Sequence, residues 1–126
     1  MTQIVSPQDK LSRILPWLEE HKAQDIVSID LAGRGAFTDI LVVLTAGSPR
    51  HGRGLADGIA ALCGEHGYEF LNMAGYELGQ WILVDLNDIV VNIFLAPARE
   101  AYRLETLWGH AKRDEAPHDP DSPADS

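Results

Sequence analysis

Apolar residues recur at helical spacing near the N-terminus. Leu11, Ile14, Leu15 and Leu18 fall three or four apart, the repeat of one helix face. Ser6-Pro7-Gln8-Asp9 precedes them, a capping-box pattern with proline at the first helical position. A helix is therefore predicted from there to about Lys22. Pro16 lies inside the pattern; lacking an N–H, it is expected to kink the helix or delay its start, at about 3 kcal/mol if uncompensated. Residues 26–31 and 39–45 are short β-branched or leucine-rich runs separated by Gly33-Arg34-Gly35, and predict two strands.

Ser48-Pro49 opens a second helix that runs to His66-Gly67, with glycine as its C-terminal cap. Gly52, Gly54 and Gly58 weaken its first half by about 1 kcal/mol each relative to alanine. They point to close packing on a sheet or to a fraying first turn. Residues 70–73 predict a third strand. Residues 80–86 and 88–94 form the clearest pair, turning at Leu86-Asn87-Asp88. Pro97 precedes a last helix, in which Ala101, Leu104, Leu107, Trp108 and Ala111 share one face. The class is α/β: one domain with a mixed, roughly five-stranded sheet covered by helices. The short connections suit antiparallel neighbours, and the second helix is long enough for a parallel crossover.

A chain of 126 residues is the size of one domain. We divide it into a body, 1–113, and a tail, 114–126, whose Pro/Asp/Ser-rich composition cannot build a core and predicts disorder. The single cysteine, Cys63, allows no internal disulfide, which suits a reducing compartment. No apolar run approaches the roughly 20 residues that span a bilayer, and no signal peptide is evident. A soluble, cytoplasmic protein with no membrane partner is expected. Net charge is -9 from 19 acids and 10 bases. The tail holds five of the acids and no Lys or Arg, so 14 acids against 10 bases remain, a net charge of -4. An acidic body is ill suited to binding nucleic acid directly and better suited to a basic protein partner.

The motifs that would carry catalysis are incomplete. The turn from Gly47 to Gly54 has two glycines at the separation of a phosphate-binding loop, but Arg53-Gly54 stands where Lys and Ser/Thr are required, and Pro49 removes an N–H donor. A capped helix start is the favoured reading. Asp39 resembles the first carboxylate of a nucleotidyltransferase strand, yet Leu41 occupies the second position, leaving one ligand where a two-metal mechanism needs more. Asp39 is expected to begin a strand and bond nearby backbone. His21, His51, His66, His110 and His118 form no pair at ligand spacing. Cys63, beside Ala61 and Leu62 in a helix, reads as a buried structural thiol. No catalytic residue, metal or cofactor is expected.

Aromatic and charged residues concentrate toward the end of the body. Trp81 opens the fourth strand, Asp85 and Asp88 flank the hairpin, and Arg99, Tyr102, Glu105 and Trp108 mark the last helix. Trp108 continues the apolar stripe and reads as core. Trp81 and Tyr102 suit either core or docking, since interfaces favour Trp, Tyr and Arg.

Trp81-Ile-Leu-Val-Asp85, Asp88-Ile-Val-Val91, Phe94, then Arg99, Tyr102, Leu104-Glu105 and Leu107-Trp108 closely resemble the ribosomal silencing factor family, RsfS, also called Iojap. Lys22-Ala23, Asp25-Ile26, Thr38-Asp39, Ser48 and Arg50-His51 match the same pattern in order. The resemblance covers roughly residues 11–112. It implies a nucleotidyltransferase-like layout without catalytic residues. It also implies binding to the large ribosomal subunit through the ribosomal protein numbered fourteen in the large-subunit series. The bound factor would obstruct joining of the small subunit and lower translation when nutrients are scarce. The expected partner-binding set is Trp81, Asp85, Asp88, Asn92, Arg99, Tyr102 and Glu105, with the Arg99–Glu105 stretch alternatively fixing the last helix to the sheet.

This sequence departs from the family at four positions. Asn92 replaces a usual histidine, Ile40 a usual tyrosine, Ala74 a usual acid and Asn87 a usual glycine. The rival readings are a nucleotidyltransferase-like nucleotide-binding protein and a homodimeric adaptor; a homodimer of the free protein is also compatible with the docking reading.

Overall fold

A computed structural model describes residues 6–33 and 38–102. The element order is α1 (Pro7–Glu20), β1 (Gln24–Asp30), β2 (Ile40–Ala46), α2 (Pro49–His66), β3 (Asn72–Ala74), β4 (Trp81–Asp85), β5 (Ile89–Leu95) and α3 (Ala96–Tyr102). The strands form one mixed sheet in the order β1-β2-β5-β4-β3. β2 and β5 are parallel, and the other neighbouring pairs are antiparallel.

The helix starts follow their caps. The Ser6 hydroxyl accepts from the Asp9 N–H at 3.1 Å, and the Ser48 hydroxyl accepts from the His51 N–H at 3.0 Å, each satisfying a donor that the helix leaves open. Of the two effects expected of Pro16, a delayed start does not occur: α1 begins at Pro7 and continues through Pro16 to Glu20. Pro16 and Ser12 are both exposed, so the carbonyl that proline cannot serve lies beside solvent. The helix ends before Lys22, which takes a φ of 71°, and the Ala23 N–H bonds back to the Leu18 carbonyl. Gly67 closes α2 in the left-handed conformation.

β3 is shorter than predicted and starts at Asn72. β4 ends at Asp85, the partner of Asn72, so Phe70 has no strand residue to pair with. Pro97 falls inside the first turn of α3, where its missing N–H is not needed.

Two apolar layers hold the sheet. On one face Leu11, Ile14 and Leu18 of α1 and Leu55, Ala56, Ile59 and Cys63 of α2 pack against alternate residues of β2, β4 and β5. Gly52 lets α2 approach this face: a Cβ there would already lie 3.4 Å from Ile93 and 3.5 Å from Ala46. Gly58 serves another contact, because a Cβ there would overlap the Trp17 ring of α1. The opposite face gathers Ile29, Leu31, Leu41, Val43, Val90 and Phe94, with Ala98 of α3 packed against them. The predicted stripe through Leu104, Leu107, Trp108 and Ala111, and the tail 114–126, lie outside the described residues.

Candidate docking face

β4 carries Trp81, Leu83 and Asp85 on the sheet face opposite α1 and α2, and all three are half-buried. Period-two alternation sets them there, since Ile82 and Val84 are buried under the helices. Trp81 lies opposite Phe94 on β5, with ring centroids 4.9 Å apart and planes at 30°. Its indole N–H donates to the Asn92 side-chain oxygen at 2.9 Å. Asn92 is 1% exposed, and its amide nitrogen donates to the Val42 carbonyl at 3.4 Å. A buried amide in an apolar layer needs such partners, and here the bond also orients the indole.

Asp85 faces the hairpin turn. Its carboxylate accepts from the Asn87 N–H at 2.8 Å, an Asx-type contact that supports Asn87 at a φ of 78°. The Asn87 amide donates in turn to Glu69 at 3.1 Å. Asp88 points elsewhere, receiving two hydrogen bonds from the Lys10 ammonium of α1, at 2.9 and 3.1 Å. Lys10 also lies 5.8 Å from the Tyr68 ring centroid.

Arg99 bonds the Asp25 carbonyl at 2.6 Å and the Thr45 hydroxyl at 2.8 Å. It thereby ties α3 to β2 and to the irregular stretch of β1, where Asp25 has a φ of 50°. The structure thus brings Trp81, Asp85 and Asn92 onto one face, with Asp88 turned toward α1. Tyr102 closes α3, and Glu105 lies outside the described residues.

The glycine turn is a capped helix start. The Gly47 N–H donates to His51 Nδ1 at 2.9 Å, while His51 Nε2 lies 2.8 Å from the His21 carbonyl. Accepting at Nδ1 and donating at Nε2 require the neutral Nε2–H tautomer. These contacts use the Gly47 and His51 N–H groups that a phosphate would need. Asp39 precedes β2, and its backbone N–H bonds the Asp88 carbonyl at 3.2 Å. Cys63 is buried, as expected of a structural thiol. Among the described residues no group of three or more His, Cys, Asp and Glu could hold a metal ion, and no helix is long and apolar enough to cross a membrane.

Sequence reasoning placed Phe70 and Leu71 in the third strand and did not single out Leu78; these three are the exposed large hydrophobics among the described residues. Their apolar character was legible between Gly67 and Gly79, but their exposure was not.

The family profile described as "Ribosomal silencing factor during starvation" matches residues 5–126. The chain belongs to this family. It is 30% identical over 107 residues to the ribosomal silencing factor RsfS of Halalkalibacterium halodurans, covering 85% of this chain and 92% of that protein. A Chromobacterium violaceum crystal structure superposes with a TM-score of 0.79 at 29% identity, covering 90% of this chain and 92% of that one. A more distant mouse relative, 25% identical over 103 residues, spans 78% of this chain and 44% of its own length. It is named for mitochondrial assembly of the ribosomal large subunit.

Membership makes the chain a ribosomal silencing factor in general function and gives the substituted positions their context. Ile40 is buried under the helices, where a tyrosine hydroxyl would need its own partner. Ala74 is exposed on β3, and Asn87 takes the left-handed turn that a glycine would otherwise supply.

Proposed function

We propose that this chain is a non-catalytic cytoplasmic repressor. It docks on the large ribosomal subunit through the ribosomal protein numbered fourteen, blocks joining of the small subunit and lowers translation under nutrient limitation. The observation that carries the reading is the family match combined with the half-buried Trp81–Leu83–Asp85 row on β4. The mouse relative's name, which refers to the large subunit, supports the choice of subunit. Steric obstruction requires affinity and placement, with no bond made or broken.

In this reading Trp81 supplies apolar area and Asp85 meets a basic side chain, and Tyr102 and Glu105 complete the proposed partner-binding set. Asn92, Asp88 and Arg99 contribute through the indole, α1 and β1 that they hold. The test sediments purified large and small subunits with and without the protein. Co-migration with the large subunit and fewer joined ribosomes are expected. Asp85→Asn keeps an acceptor for the Asn87 N–H while removing the charge, and should weaken co-migration at unchanged melting temperature. Failure of the parent chain to co-migrate would sink the reading.

A further inference from the structure

The sheet ends at β3, and the three exposed large hydrophobics of the described residues all flank this strand. Phe70 (39% exposed) and Leu71 (51%) precede it, and Leu78 (77%) follows it. Leu78 sits on a braced turn. Gly75 and Gly79 have φ values of 77° and 75°, and the Gly79 N–H bonds the Gly75 carbonyl at 3.0 Å. Arg53 of α2 donates to the Glu77 carbonyl at 3.1 Å, and the Tyr76 hydroxyl donates to Asp57 at 2.9 Å. At the other end, the Leu71 N–H bonds the Asp85 carbonyl at 2.8 Å. An apolar side chain held out on a fixed backbone forgoes little conformational freedom when it is covered.

The segment that forms this edge carries charge of one sign, and the cations that reach it from the helices, Arg53 and Arg13, are engaged by the Tyr76 and Glu77 carbonyls and by the Tyr68 hydroxyl. From 67 to 98 the chain carries Glu69, Glu77, Asp85 and Asp88 and no Lys, Arg or His, and Asp88 is already paired with Lys10. Glu69 adjoins Phe70 and Glu77 adjoins Leu78 in sequence, while Asp85 pairs with Asn72.

We propose that the β3 edge is a protein-docking surface, with Phe70, Leu71 and Leu78 as its anchors, for a basic partner that presents Lys or Arg beside apolar side chains. It rests on the ribosome-docking reading and extends that contact from the β4 face around the sheet edge. Two alternatives fit less well. Pairing a partner strand onto β3 gains little, because a three-residue edge offers few backbone groups and short edges resist strand addition. A second copy placed on a two-fold axis would set this acidic segment against its own copy, and like charges oppose that contact.

The test measures binding to purified large ribosomal subunits by sedimentation, using the full chain and the variants Leu78→Asp, Leu71→Asp and Glu77→Lys. The altered side chains are exposed, so melting temperatures should stay close to the parent's. The expected result is binding weakened on the order of tenfold in each variant, with parental binding that falls as salt rises. Parent-like binding by all three variants would overturn the edge surface and leave the docking reading standing. No binding by the parent would overturn both. Sedimentation equilibrium provides the remaining arm: a dimeric parent rendered monomeric by Leu71→Asp would make a second copy the occupant and overturn the choice of a basic partner.

Discussion

The Trp81 indole N–H and the Asn92 side-chain oxygen, 2.9 Å apart, link an edge-side aromatic to the buried centre of the sheet. Removing either partner strands the other, which costs about 1–3 kcal/mol for a buried polar group. Asn92→Ala should lower stability by that amount, while Trp81→Phe keeps an aromatic ring against Phe94 and loses only the N–H. The double variant should cost less than the two singles added together. A denaturant double-mutant cycle measures the difference, and strict additivity would show that the bond contributes nothing.

Lys10 and Asp88 should behave as a single unit. Their side chains are 8% and 20% exposed, so Asp88→Asn leaves an ammonium uncompensated in a nearly closed site. A loss of about 3 kcal/mol is expected, at the low end for breaking a buried pair because Asp88 retains some solvent. Adding Lys10→Met should recover part of that loss. Urea midpoints of the parent, both singles and the double variant report the coupling.

Gly54 and Gly58 lie on one helix and should respond in opposite directions to alanine. A Cβ at Gly54 meets nothing within 4 Å, so Gly54→Ala should stabilise α2 by about 0.5–1 kcal/mol. At Gly58 the same gain is outweighed by overlap with Trp17, because overpacking costs about 1–3 kcal/mol. Thermal melts should rise for the first and fall for the second. Trp17→Leu should relieve part of the second loss.

Burial pushes the Cys63 thiol above its ordinary value of 9.0, with nearby Lys10 opposing this and Asp88 adding to it. The folded chain therefore keeps a proton that the unfolded chain releases first. This contribution to stability is intact below about pH 9 and is lost as pH rises beyond it. Urea unfolding between pH 7 and pH 10.5 should show a steeper alkaline decline for the parent than for Cys63→Ala. Parallel declines would contradict the assignment.

Local chemistry made most of the elements readable from sequence. Ser6-Pro7 and Ser48-Pro49 begin helices because a hydroxyl and a proline act within one turn, and Gly67 and Asn87 accept left-handed φ values where the chain reverses. The parallel β2–β5 pair was accessible only as a possibility, since crossover length permits a topology without selecting it. β2 and β5 are covered on both faces, so a continuous apolar run carried no face label. Tertiary packing placed Asn92 in the interior as Trp81's partner. It also separated Asp85 from Asp88: three positions apart across a turn, they serve opposite sides of the sheet because α1 brings Lys10 to only one of them. The exposed β3 edge was hidden for the same reason: hydropathy registers that Phe70, Leu71 and Leu78 are apolar, whereas exposure depends on whether a distant part of the chain covers them.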